Sequence, residues 1–447
     1  MNNSNKAINE ILSFAKDKLD NLENTPEFVP GETYIPASGK LIDKHDYLHM
    51  LEAVLDGWLT TGRFNEAFEK KLARYLGVRN LLTTNSGSSA NLLAFSALTS
   101  PLLRERAIKK GDEVITVAAG FPTTVNPIIQ NNAIPVFVDV DLKTHNAIPE
   151  QIKAAITDKT KAIMMAHSLG NPFDLHEVLK ICKENNLWLI EDNCDALGSR
   201  FNNQLTGTFG DIGTLSFYPA HHITMGEGGF VATSSKQEEI IVRSFREWGR
   251  GCFCVGPKAN LLKNGSCGTR FSNWIPELPD EIFDHKYIYD EIGYNLKPME
   301  LQASMGLQQI NKLPTIVEKR KHNHARLVNI FAEYRNYFIL PKATIKSDPS
   351  WFAFAVTISD SAPFKRKDIV DFFESSKIQT RPYFAGNIML QPAYSGLVDT
   401  QKVINDFPNA RKVTTDTFFL GTSPIITDEQ IDYIQNTLRS FIKGVKT

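Results

Sequence analysis

Between residues 80 and 235 the chain alternates short apolar runs with helical stretches, and this alternation constrains its fold more than any other feature. The runs are "DEVITVA", "IPVFVDV", "AIMMAHSL", "LWLIED", "GTLSFY" and "GGFVAT"; "SANLLAFSALTSPLL" and "HEVLKICKEN" are among the helical stretches between them. Strands buried on both faces read as unbroken apolar runs, and helical crossovers between them build a largely parallel sheet. The predicted class is therefore α/β, with ligands bound where strand ends meet helix starts. Farther on, "WFAFAVTI" and "KDIVDFFESSKI" predict a small C-terminal α/β domain. The expected division is an N-terminal helical extension (1–40), a large domain (41–325) and a small domain (326–447). In residues 44–76, Tyr47, Leu48, Leu51, Val54, Leu55 and Trp58 share one helical face before the interruption "GWLTTGRF". Residues 251–295 are rich in Gly, Asn, Asp and Pro and long for a connection, which marks a functional loop.

Composition narrows the function. A net charge of -1 and the lack of a basic run argue against nucleic acid as a partner. The start, "MNNSNKAINEILSFAKDKLDNLENTPEF", has no signal-peptide core and is too charged to span a membrane, so a cytoplasmic protein without a membrane partner is expected. Five cysteines in a chain of 447 residues are not a disulfide framework. An odd count with clustering suggests four ligands and one bystander.

Two stretches have the chemistry of a phosphate site and a ring partner. In "LLTTNSGSSANLLAF", Gly87, Ser88 and Ser89 put backbone N–H groups and hydroxyls at a helix start, an anion site. A serine N-cap on a buried helix is the plain alternative. In "LWLIEDNCDALG", Asp192 ends a buried strand, where a carboxylate can pair with a ring nitrogen or cap the next helix.

These stretches, with "GFPTTVNPIIQNNAIPVFVDVD" and "GTFGDIGTLSFYPAHHITMGEGGFVAT" in order, resemble the DegT-type sugar aminotransferases across residues 45–440. The resemblance implies the type I, aspartate aminotransferase-like fold and a pyridoxal or pyridoxamine phosphate cofactor. It implies that Gly87, Ser88, Ser89 and Ser216 hold the phosphate, Phe121 stacks on the pyridine and Asp192 binds its N–H. It also implies that Asn295, in "EIGYNLKPMELQA", reaches the phosphate of a neighbouring subunit, hence a homodimer.

The family's Schiff-base lysine falls five residues after Ser216, where this chain has His221; no lysine lies between Lys183 and Lys236. Imidazole forms no stable imine with an aldehyde but does move protons near neutral pH. Metal binding by His221 and His222 is disfavoured, because adjacent side chains on extended backbone point apart. Family members with this histidine are sugar-nucleotide 3-dehydratases. One kind uses an iron–sulfur cluster and acts on CDP-4-keto-6-deoxy-D-glucose in making 3,6-dideoxyhexoses for lipopolysaccharide O-antigen; another, without a cluster, acts on a GDP-hexose.

Cys194, Cys252, Cys254 and Cys267 have the spacing C-x57-C-x-C-x12-C, and Cys182 sits on an apolar helix face with Leu179. Four thiolates suit a [2Fe–2S] cluster held in the loop 250–270; a four-cysteine zinc site is the competitor, though its paired knuckles are missing. The resemblance then implies condensation of the cofactor amine with the C4 ketone as a ketimine, proton abstraction by His221 and loss of the C3 hydroxyl. Reduction follows through the cluster, fed by an NAD(P)H-dependent flavin/iron–sulfur reductase. Lys258, Lys263 and Arg270 are the expected docking surface or a solvated loop. Trp58, Thr60, Thr61 and Arg63 in "GWLTTGR", and Arg381 and Tyr383 in "QTRPYFAGN", are candidates for contacting substrate. A non-catalytic sugar-nucleotide-binding relative is the alternative from a different class.

Overall fold

The computed structural model describes residues 2–20, 27–252, 267–397 and 399–445. A seven-stranded sheet forms its centre: β1 (Asn80–Thr84), β2 (Glu113–Val117), β3 (Ile134–Val138), β4 (Thr160–Ala166), β5 (Trp188–Asp192), β6 (Ile212–Ser216) and β7 (Gly229–Thr233). The spatial order is β1-β7-β6-β5-β4-β2-β3. β7 pairs antiparallel with both neighbours and runs against the other six. The six apolar runs became β2 to β7, and the strand end before the phosphate turn became β1. This is the α/β, type I aminotransferase architecture.

Helices Gly87–Ala97, Pro122–Gln130, Leu175–Asn185 and Lys236–Arg246 supply the layers. One apolar cluster joins Leu93, Phe95, Met164, Ile190 and Phe245; another holds Ile115, Met165, Leu175 and Cys182. Cys182 is buried there, with Leu179 packed alongside.

The second sheet has four strands, with Ala353–Ile358 and Thr417–Gly421 at its centre. Helices Arg366–Ser375 and Asp428–Val445 pack on it through Phe373, Phe418, Leu438 and Phe441. Helix Glu300–Ala332 passes residue 325 unbroken and contributes to the cores beneath both sheets. Ile35, from the N-terminal segment, is buried in the small-sheet core.

Helix Lys44–Leu55 departs from its sequence pattern. Tyr47 and Val54 are exposed, Trp58 lies beyond the helix end, and the buried positions are Asp46 and Ala53. Asp46 is held by Lys312 of the long helix. A buried ion pair thus sets the helix's inward face, which apolar periodicity could not reveal.

Candidate active site

A cavity of about 370 Å3 opens at the C-terminal ends of β4, β5 and β6. Gly87, Ser88, Phe121, Asp192, Cys194, Ser216, His221 and Tyr383 line it, together with Ser86, Thr124, His145, Ser168 and Asp195.

The phosphate turn is built by close approach. A Cβ on Gly87 would lie 2.3 Å from the Ser216 Cβ, so only glycine lets the helix start sit against the end of β6. Ser86 caps the helix, its Oγ accepting from the Ser89 N–H at 3.0 Å. The Ser89 side chain faces that cap at 3.0 Å, while Ser88 lines the cavity.

Asp192 is 4% exposed. Its Oδ2 accepts from Asn91 Nδ2 at 2.8 Å and Thr124 Oγ1 at 2.7 Å, and its Oδ1 from the Cys194 N–H at 3.1 Å. Asn91 in turn accepts from Thr214 Oγ1 at 2.6 Å, which ties the phosphate helix to β6. The Phe121 ring is half exposed at the cavity and set edge-on to Phe384. An anion-binding helix start, a fixed carboxylate and a ring with a free face fit a phosphorylated pyridine cofactor. Gly87, Ser88, Ser216, Phe121 and Asp192 are the residues that would hold it.

His221 sits in the connection from β6 to β7, closed at its base by Phe217 N–H to Gly228 O (2.8 Å) and Met225 N–H to Phe217 O (3.0 Å). Buried Arg320 donates to the carbonyls of Ala220 and His221 at 3.2 Å each, and His222 Nε2 meets Ser350 O at 2.9 Å. His222 therefore anchors the connection, while its neighbour enters the cavity. His221 Nδ1 lies 3.5 Å from Asp195 Oδ1 and has no hydrogen-bond partner among the described residues. Burial, then the Arg320 charge, pushes the His221 pKa down to about 4. Burial, then the Asp192 charge, pushes Asp195 up to about 8. At neutral pH the pair is uncharged, so it is a polar contact and not a salt bridge. With Nδ1 turned to Asp195, Nε2 is the nitrogen left to take a proton.

Other candidates lie elsewhere. Asn295 is exposed and does not line its own chain's cavity. Trp58, Thr60, Thr61 and Arg63 are also outside it; Arg63 pairs with Asp56 at 2.6 Å and Glu52 at 2.5 Å. Glu300 holds this segment, accepting from the N–H groups of Gly62 (2.6 Å), Phe64 (2.8 Å) and Asn65 (3.0 Å). Arg381 is exposed, whereas Tyr383 is buried at the cavity wall.

Burial, then the Asp192 charge, raises the Cys194 thiol well above its ordinary pKa. Cys252 and Cys267 flank residues 253–266; Cys254, Lys258 and Lys263 lie within that stretch, outside the described residues. Cys267 Sγ is 3.0 Å from His285 Nε2. Among the described residues, no three His, Cys, Asp or Glu side chains gather as a metal-binding set. No helix among them is long and apolar enough to cross a membrane.

Sequence reasoning passed over Ser86, Asn91, Thr124, His145, Ser168 and Asp195. Asp195 was within reach, one residue after Cys194; Asn91 lies one helical turn beyond Gly87. His145 and Ser168 carry no local motif, because they reach the cavity only through the sheet's topology.

Comparison with known proteins places the chain in a family. The chain is 49% identical over 441 residues to the lipopolysaccharide biosynthesis protein RfbH of Salmonella typhimurium, covering 98% of each. It is 47% identical over 440 residues to the dTDP-4-dehydro-2,6-dideoxy-D-glucose 3-dehydratase of Saccharopolyspora spinosa, covering 97% of this chain and 93% of that protein. The solved E. coli GDP-4-keto-6-deoxy-D-mannose-3-dehydratase, with bound hydrated PLP, superimposes with a TM-score of 0.76 at 28% identity, over 91% of this chain and all of that one. The family model for DegT/DnrJ/EryC1/StrS aminotransferases matches residues 41–439, nearly the whole chain, and the chain belongs to that family.

Proposed function

We propose that this chain is a pyridoxamine phosphate-dependent sugar-nucleotide 3-dehydratase that removes the C3 hydroxyl of a nucleotide-linked 4-keto-6-deoxyhexose. The observation that carries the reading is His221, a buried, neutral imidazole in a cofactor site that has no lysine at this position. When bound, the cofactor supplies an amine that condenses with a ketone and a ring that draws electrons from the bond to be broken. Asp192 keeps the ring nitrogen protonated, Phe121 fixes the ring plane, and the Gly87–Ser88 turn with Ser216 holds the phosphate. His221 Nε2 takes and returns the proton, and Asp195 orients the imidazole through Nδ1.

In this reading the substrate is CDP-4-keto-6-deoxy-D-glucose, and Cys194, Cys252, Cys254 and Cys267 carry a [2Fe–2S] cluster. Four cysteines, one of them at the cavity, support the cluster. Such a cluster would supply one-electron transfer from an NAD(P)H-dependent flavin/iron–sulfur reductase, and the product would be a dideoxysugar for lipopolysaccharide. Asn295, exposed and away from its own cavity, supports a homodimer in which it reaches the partner's phosphate site. A cytoplasmic location fits such an enzyme. A dTDP-linked sugar is the second reading for the nucleotide, favoured by the 47% identical relative.

The test is iron and acid-labile sulfide analysis of anaerobically purified protein, followed by turnover of CDP-, dTDP- and GDP-linked 4-keto-6-deoxyhexoses with a reductase present. About two irons and two sulfides per chain are expected. Absence of iron would remove the cluster, and absence of C3 deoxygenation on all three sugars would remove the function.

A further inference from the structure

His145, Ser168 and Tyr383 form part of the cavity wall and do not belong to the phosphate turn or the ring-binding carboxylate. They come from the segment after β3, the turn after β4 and the segment after strand Arg381–Pro382. The His145 and Tyr383 rings stack with centroids 5.1 Å apart and planes 22° apart. Tyr383 Oη and Ser168 Oγ share a hydrogen bond. His145 is 4% exposed and Tyr383 2%. The Nε2 of His145 is buried with no hydrogen-bond partner among the described residues. Phe352 lies between the ring of His221 (centroids 5.4 Å apart) and that of Phe384 (6.3 Å), the residue after Tyr383, and all four line the same cavity, so this wall lies on the reacting side.

The backbone supports the same reading. His145 (φ 57°), Leu169 (φ 49°) and Phe384 (φ 41°) all occupy left-handed conformations, each within or next to one member of the wall. Bulky residues seldom adopt that region, and such strain gathers where side-chain placement matters for function.

We infer that Tyr383, held in place by Ser168 and His145, recognises a ring hydroxyl of the hexose and not the nucleotide or its diphosphate; this rests on the sugar-nucleotide reading above. A phenol has one donor and two acceptor positions, and Ser168 occupies one of these. The imidazole offers a second polar edge. A sugar hydroxyl both donates and accepts, which matches a neutral pair of this kind. A diphosphate only accepts and calls for arginine or lysine, and the wall has neither.

The experiment is calorimetric titration of the full-length, PLP-loaded protein, in which the substrate ketone meets no cofactor amine. The probes are the CDP- and dTDP-linked 4-keto-6-deoxyhexoses, and CDP and dTDP alone. Tyr383→Phe is expected to weaken the nucleotide sugar about three- to tenfold, as for one lost neutral hydrogen bond, and the bare nucleotide less than twofold. His145→Phe keeps the stack, removes Nε2 and is expected to give the same selective loss, so the test survives if Tyr383→Phe fails to fold. Equal weakening of sugar and nucleotide forms, or no weakening of either, overturns the inference. If the wild-type protein binds neither of these nucleotide sugars nor the GDP-linked sugar, the proposed function fails and takes this inference with it. Wild-type binding with both variants unchanged overturns this inference alone.

Discussion

Shifting pH across the titration of His221 tests whether this imidazole works as a buried, neutral base. An exposed histidine titrates near 6.5, and burial with the Arg320 charge brings His221 down to about 4. That difference corresponds to roughly 3 kcal/mol against the imidazolium. The sign follows directly: the base form is the neutral one, and a lowered pKa keeps it available further into acid. At pH 5 a free imidazole would be about 3% neutral, whereas a group with a pKa of about 4 is about 90% neutral. Burial raises Asp195 to about 8, so its ionisation defines the alkaline edge. The assay is deuterium exchange at C4′ of pyridoxamine phosphate bound to the protein, followed by NMR from pH 3.5 to 9. The expected profile rises with a midpoint near pH 4, stays level to about pH 7.5 and changes again near pH 8. A rise centred at pH 6.5 would refute the account of a desolvated base.

Three further perturbations read other parts of the structure. His145, His221 and His324 have folded-state pKa values of about 4, 4 and 3, below the unfolded 6.5, so their contribution to stability is present above pH 6.5 and lost as pH falls. Burial pushes His222 down as well, and Asp195, raised to about 8, opposes one of the four, leaving about three extra protons on the unfolded chain, or at most ~4 kcal/mol per pH unit. The thermal midpoint should fall between pH 6.5 and 5, with a slope about two-thirds as steep in His324→Phe, which keeps the stack on Trp351. Gly87→Ala drives a methyl into Ser216 and should weaken cofactor binding at least about tenfold (~1.4 kcal/mol) by fluorescence titration, with an unchanged circular dichroism spectrum. Glu300→Gln removes the charge from the acceptor of three N–H groups, turns one of its two oxygens into an NH2 donor, and should lower stability by about 2 kcal/mol in urea denaturation.

The fold was legible because parallel strands buried on both faces leave unbroken apolar runs, as "LWLIED" and "AIMMAHSL" do. The spacing from Ser216 marked out His221, and the structure brings both to the same cavity as Asp192. The supporting residues were harder to see. Arg320 reaches the His221 carbonyl from the long helix, 99 positions away, and Tyr383 meets Ser168 across 215 positions. No local periodicity records such contacts. The helix Lys44–Leu55 misled for a related reason: its inward side is fixed by the Asp46–Lys312 pair, and its apolar residues Tyr47 and Val54 face outward.

The central claim is that an imidazole has replaced the amine tether and performs the proton transfer. Its most direct test is C4′ deuterium exchange of bound pyridoxamine phosphate in His221→Asn, at pH 7, with cofactor occupancy matched to wild type by absorbance. The account predicts exchange in the wild-type protein and a fall in the variant to the rate of free cofactor. Exchange that persists in the variant at the wild-type rate would contradict it.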